Sequence, residues 1–263
     1  MEYTIFQVDA FTSELFCGNP AAVVPLEKWL DTELMQKIAF ENNLSETAFF
    51  VPTSKGFHIR WFTPIEEVDL CGHATLASSF VIFNHLSYNK DRIYFESQSG
   101  ELIVDKTVDK KDALITLNFP ARVPQPFTPP EGFLELFPHK AIDFLFNKST
   151  VLVFESEEII RNMEFDIKEL LKFKTHGVII TAKGNEVDFV SRFFAPDCGI
   201  DEDPVTGYAH TILVPYWSAK LEKKKLHALQ VSKRGGELFL ENLGDRVTIS
   251  GNAIIYSKGY LYL

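Results

Sequence analysis

The sequence predicts an α+β fold of two pseudo-symmetric domains, each a β-barrel wrapped around a central helix. Three observations predict it. First, one pattern occurs twice. Arg60-Trp61-Phe62-Thr63-Pro64 leads to Asp69-Leu70-Cys71-Gly72-His73-Ala74-Thr75, and Arg192-Phe193-Phe194-Ala195-Pro196 leads to Asp203-Pro204-Val205-Thr206-Gly207-Tyr208-Ala209-His210. A third match, Ser99-Gly100-Glu101-Leu102 against Gly235-Gly236-Glu237-Leu238, keeps the register at separations of 132, 134 and 136 residues in a chain of 263. Second, each pattern opens onto a stretch with small or apolar residues all round, Ala74 to Phe83 and Tyr208 to Trp217. A helix apolar on every face is a buried helix. Third, strand signals lie before and after both helices, so a curved sheet around each helix is the natural way to bury it.

The elements follow in order. Tyr3 to Ala10 alternates as a strand, and Gly18-Asn19-Pro20 is a turn signal before the apolar run Ala21-Ala22-Val23-Val24. Asp31 is a helix cap for a segment ending near Asn43, with Leu34, Ile38 and Phe40 as its apolar positions. Strands are expected at 46–52, 57–62, 93–95, 100–105 and 114–119, with the first buried helix at about 72–86. Five prolines between Pro120 and Pro130 mark a linker. The expected domains are therefore 1–118, a linker at 119–130, and 131–263, with the C-terminal segment free to cross back to the first. The second half carries strand signals at 150–154, 177–181 and 187–194, a helix at about 204–220, and strands to the end. Pro215 falls inside that helix and should kink it, at a cost of roughly 3 kcal/mol unless packing compensates.

Composition narrows the function. The formal charge is −10, and phosphate contacts demand Lys and Arg, so nucleic acid is excluded as a partner. Lys223-Lys224-Lys225 reads as a solvated helix end. No run of 18 apolar residues exists, and the N-terminal residues lack the pattern of a secretory signal, so a cytoplasmic protein away from membranes is expected. Three scattered cysteines, Cys17, Cys71 and Cys198, suggest neither a disulfide framework nor a cysteine zinc site. Cys17 and Cys198 read as buried small hydrophobes. No metal and no cofactor are expected.

The chemistry is expected where the repeated pattern meets the helices. Asp203 stands where an N-cap belongs and Pro204 at the first helical position. Gly72 and Gly207 allow close backbone approach. Helix N-termini expose unpaired N–H groups and partial positive charge, so two of them lining a cleft would hold a carboxylate. Taken singly, either motif is equally a plain cap and turn; the duplication favours a site. His210, inside the second buried helix, reads as a core histidine.

Beyond these motifs, Asp9-Ala10-Phe11-Thr12, Gly18-Asn19-Pro20-Ala21-Ala22-Val23 and Ser45-Glu46-Thr47-Ala48-Phe49 complete an ordered set from residue 9 to residue 210. The set resembles the phenazine-biosynthesis PhzF-like isomerase family over nearly the whole chain. The resemblance implies the diaminopimelate-epimerase-like fold and a cofactor-independent isomerase that moves a proton between carbons of a small, cyclic carboxylate. It implies Glu46 as general acid and base, with His73 and Asp203 beside it in the catalytic set. Gly72, Gly207 and Tyr208 would bind substrate, and a homodimer is the family's expectation. Proton abstraction from carbon needs a base poised near neutral pH, which burial of a carboxylate favours. The family commonly carries serine where this chain has Tyr208, which reshapes the pocket.

Two other readings stay open. Cys71 lies inside the repeated pattern, and amino-acid epimerases of the same fold use one cysteine per half; the matching position here is about Val205, which is no thiol. A non-catalytic small-molecule-binding protein would keep the pocket without needing Glu46. A hydratase or thioesterase is a remoter possibility, because fold does not fix function.

Overall fold

The chain divides into two units, residues 1–119 with 248–263, and residues 120–247. The computed structural model describes residues 1–109, 112–173 and 175–263. The first unit runs β1 (Glu2–Ala10), β2 (Asn19–Pro25), α1 (Thr32–Asn42), β3 (Glu46–Pro52), β4 (Phe57–Phe62), β5 (Glu67–Val68), α2 (Gly72–His85), β6 (Arg92–Ser97), β7 (Gly100–Asp109) and β8 (Asp112–Pro120). The second runs β9 (Gln125–Pro126), β10 (Asp143–Asn147), β11 (Ser149–Val153), α3 (Glu157–Arg161), β12 (Val178–Lys183), β13 (Phe189–Ala195), β14 (Ile200–Asp203), α4 (Gly207–Leu221), β15 (Lys225–Gln230) and β16 (Gly236–Asn242). The chain returns to the first unit within β17 (Arg246–Gly251), and β18 (Ala253–Tyr262) pairs antiparallel along the whole of β1.

The pairing pattern is the same in both units. β1–β2 is antiparallel, β2–β3 parallel, β3–β4 antiparallel, β4–β6 parallel and β6–β7 antiparallel. In the second unit β10–β11, β11–β12, β12–β13, β13–β15 and β15–β16 repeat that order of directions. The prolines expected to form a linker belong to the second unit. Gln125 and Pro126 pair with Phe146 and Leu145 of β10.

The repeated arginines explain part of this likeness. Arg60 forms a two-pronged ion pair with Glu67 of β5, both contacts 2.7 Å, and its guanidinium lies 5.1 Å from the ring of Phe62. Arg192 does the same with Glu202 of β14, at 2.7 and 3.0 Å, and lies 5.0 Å from the ring of Phe194. Residues two apart on a strand share a face, so Arg and Phe stack while the fork of the arginine clamps the next strand.

Each unit buries one helix, as its composition requires. In α2, Leu76, Val81 and Ile82 are wholly inaccessible; burying each contributes roughly 1.5–3 kcal/mol. Its hydroxyls survive burial by bonding one turn back, Ser78 to the Ala74 carbonyl at 2.7 Å and Ser79 to that of Thr75 at 2.8 Å. In α4, Ile212, Leu213, Val214 and Trp217 are buried, and Trp217 stacks on Phe189 with ring centres 5.7 Å apart. The Trp217 indole N–H donates to Thr181 Oγ1 at 3.0 Å, which meets its polar requirement.

Four local details bear on these expectations. First, α4 starts at Gly207, with Thr206 as its N-cap, and Asp203 ends β14 instead of capping the helix. Second, α4 continues through Pro215 to Leu221. A proline has no N–H to offer the carbonyl four residues back; here the Arg122 backbone N–H donates to that Thr211 carbonyl at 3.0 Å instead. Third, α1 turns Met35, Ile38 and Ala39 inward, while Phe40 is 67% exposed. Asp31 does cap α1, accepting from the Glu33 N–H at 2.9 Å. Fourth, Cys198 is exposed and Cys17 only partly buried. Among the described residues, no helix is long and apolar enough to cross a membrane.

Candidate active site

The six expected site residues fall into two groups, one in each unit. In the first unit, Glu46 opens β3 and Asn19 opens β2, parallel neighbours with Ala21 opposite Glu46. Both therefore stand at the same end of the sheet. α2 begins there too, with Gly72 and His73 in its first turn. Thr47, Ala48, Phe49 and Phe50 behind Glu46 are almost fully buried, so the strand is anchored while its first side chain remains at the edge.

Glu46 Oε2 lies 3.0 Å from His73 Nε2, with side chains only 13% and 6% exposed. The approach is close but poorly aligned: neither atom, both sealed from solvent, makes a hydrogen bond of good geometry. Such contacts often tighten only when a substrate is bound. On the other edge of the ring, His73 Nδ1 lies 3.2 Å from Asn19 Nδ2 and 3.5 Å from Cys71 Sγ.

These contacts set the charges. Burial opposes charge on His73, but Cys71 and Glu46 beside it favour the imidazolium and hold its pKa well above the ordinary histidine value. Burial pushes the Cys71 thiol up, and Glu46 adds to the rise; His73 and the Ala74 amide pull less strongly the other way. With the Asn19 amide donating to Nδ1, the ring carries its proton on Nε2, facing Glu46. A doubly protonated ring needs that amide reversed so that its oxygen accepts. The Cys71 thiol is thus held above the ordinary cysteine range, and His73 keeps a proton above the pH at which an ordinary histidine loses it.

Glu46, Cys71 and His73 also present one oxygen, one sulfur and one nitrogen within 4.8 Å of one another. This donor set suits a soft divalent cation, so a metal could be held here.

In the second unit, Asp203, Gly207 and Tyr208 surround the start of α4. The Thr206 hydroxyl donates to Asp203 Oδ2 and makes no capping bond to the helix amides. Gln230, fully buried, accepts from the Thr206 N–H at 2.8 Å and donates to the Asp203 carbonyl at 2.7 Å. The Tyr208 hydroxyl meets Ser149 Oγ at 3.2 Å. His210 donates from Nδ1 to the Thr206 carbonyl at 2.8 Å, and burial pushes its pKa down to about 4. It is a neutral helix-start residue.

Sequence reasoning passed over Asn19 and Gln230. Asn19 sits in the Gly-Asn-Pro turn, which was legible as a turn but not as a contact to His73. Gln230 lies 24 residues beyond its partner Thr206, and no local signal marks it. Cys71 is the N-cap of α2 and Thr206, next to Val205, the N-cap of α4, so by helix start the two positions match.

Residues 8–259 match the PhzC-PhzF family, described as phenazine biosynthesis-like protein. The chain is 46% identical to an uncharacterized isomerase of Pseudomonas aeruginosa, over 100% of both chains. It is also similar to the crystal structure of a PhzF-family phenazine biosynthesis protein from Enterococcus faecalis, with a TM-score of 0.96, 44% identity and 100% of both chains covered. A hydroxyproline epimerase from Agrobacterium vitis is similar in fold alone, with a TM-score of 0.64 at 9% identity over 99% of this chain and 92% of that one.

Proposed function

The chain belongs to the phenazine biosynthesis-like PhzF family and is an isomerase, and from that premise we propose that it moves a proton between two carbons of a small carboxylate without a cofactor, with Glu46 as the acid and base. The observation that carries the reading is the carboxylate of Glu46 held 3.0 Å from His73 Nε2 at the first turn of α2. The proton leaves one carbon for a Glu46 oxygen, and its electron pair stays on the substrate as delocalised charge. The protonated Glu46 then returns the proton to another carbon. Nothing is oxidised and the same enzyme form is restored.

The other parts have matching roles. The first-turn amides at Gly72 and His73 face no preceding helical turn and offer donors to developing negative charge. His73 orients Glu46 and polar groups of the substrate. Asp203, Gly207 and Tyr208 are assigned to substrate recognition by their place in the family pattern. The shared pairing order and the matched Arg60 and Arg192 clamps support an internal duplication.

The two-thiol epimerase reading is disfavoured by one observation: Thr206 stands where the second thiol would be. The test compares Glu46→Gln with Cys71→Ser, with turnover of cyclic carboxylic acids followed in D₂O. Glu46→Gln should keep the fold and lose about 10²–10⁴-fold in rate, while Cys71→Ser retains most of it and the wild type places deuterium on carbon. The reverse order of the two variants would sink the proposal.

A further inference from the structure

Tyr208 stands at the start of α4 where two cations converge. The Arg122 guanidinium lies 5.6 Å from the centre of its ring and the Lys148 ammonium 5.7 Å. His176 meets the same ring edge-on at 5.6 Å, and Ser149 bonds the hydroxyl. Among the described residues, neither Arg122 nor Lys148 has an acidic partner within ion-pair distance. In a protein with 36 acidic and 26 basic residues, carboxylates are the more abundant charge, yet none of those described pairs with these two.

The cations are held there by the backbone. Arg122 is pinned because its N–H fills the carbonyl of Thr211 that Pro215 leaves open. Lys148 occupies the tip of the β10–β11 hairpin with φ +61°, a conformation that costs a non-glycine residue energy. Its neighbour Asn147 ties that tip to the Val123 carbonyl at 3.0 Å, one residue from Arg122. Two like charges held near one aromatic ring repel each other, and an anion that meets both relieves that repulsion. The ring attracts both cations through its face and so aims them without neutralising them.

We propose that Arg122 and Lys148, gathered on Tyr208 beside Ser149 and His176, form a subsite for an anionic oxygen group of a small molecule, a carboxylate or a phosphate. The inference rests on the assignment of Tyr208 to substrate recognition, and it gives that residue a physical role, since its ring aims the two cations that read an acidic substituent. A serine at this place would leave the cations without their platform. The two sources of the anion are separable, because a guanidinium fork with an adjacent ammonium discriminates a doubly charged phosphate from a singly charged carboxylate by affinity.

His176 is a built-in reporter. Burial lowers its pKa, and Lys148 and Arg122 lower it further. An anion on the two cations should raise it. The experiment follows the His176 ring by NMR in the full chain while inorganic phosphate, benzoate or sodium chloride is added at constant ionic strength. Phosphate or benzoate should give a saturable shift and chloride none, with the tighter of the two naming the anion class. Arg122→Gln combined with Lys148→Gln should weaken that binding at least tenfold. Lys148→Gln alone, on an exposed turn, serves if the pair disturbs folding. Glu46→Gln should bind the anion as the wild type does, so a failure of the proton-transfer reading leaves this result standing. Shifts that do not saturate, that chloride reproduces, or that persist unchanged in the charge variants would overturn the proposal.

Discussion

His73 Nε2 faces Glu46 Oε2 at 3.0 Å, in the first turn of the buried helix α2. The pair stands at the sheet end where Asn19 and Glu46 begin their strands. Its charge state is the first thing to measure.

The His73 imidazole should still be protonated at pH values where an ordinary histidine is neutral. Its pKa is raised in the folded protein, so the stability it contributes is complete below the unfolded value of about 6.5 and fades as pH rises through the folded one. NMR titration of the ring nitrogens reads this directly. Glu46→Gln should bring the midpoint down, and His73→Gln should flatten the fall in stability above neutral pH. A His73 midpoint at or below 6.5 in the wild type would contradict the charged pair.

Gly18→Ala should destabilise the first unit and displace Asn19. Gly18 has φ +67°, and a Cβ there would come within 2.3 Å of the Ala10 carbonyl oxygen. The expected loss is roughly 1–3 kcal/mol by chemical denaturation. Turnover should fall as well, because the turn delivers Asn19 to His73.

Arg192→Ala should cost more than Arg60→Ala. Both arginines clamp a glutamate, but Arg192 also donates to the carbonyls of Ile160 and Met163, at 3.2 and 2.8 Å, at the end of α3 and just beyond it. Removing it strands Glu202 and two acceptors, for a loss of about 3–5 kcal/mol. Arg60 gives up Glu67 and the Thr32 hydroxyl. Equal losses in the two unfolding curves would show that the carbonyl contacts contribute nothing.

Pro215→Ala should change stability by less than about 1 kcal/mol, although removing a proline from a helix interior ordinarily gains about 3. The Thr211 carbonyl already has its donor in Arg122. A gain near the full figure would mean that the Arg122 contact does not compensate.

Prolonged dialysis against a chelator should leave the isomerase rate unchanged. Glu46, Cys71 and His73 could together hold a cation, so added zinc should inhibit by occupying the proton-transfer pair. Loss of activity on chelation, restored by a metal, would refute cofactor independence.

The residue pattern by itself determined the α+β class, the two buried helices and the equivalence of the two turns, because periodicity, apolar content and repeats are local properties of the chain. Family motifs named Glu46 and His73 because their neighbours carry an ordered signature. Only the tertiary structure decided what those side chains touch. Asn19 reaches His73 because β2 and β3 run parallel from the same end. Gln230 holds Thr206 because β15 lies beside β13, which leads into β14 and the turn before α4. Asp203 serves Thr206 rather than the helix amides. Pro215 is tolerated because a backbone N–H from residue 122 fills the carbonyl it leaves open. Each of these depends on groups far apart in the chain, and the free energy that joins them exists only once the sheets are closed around their helices.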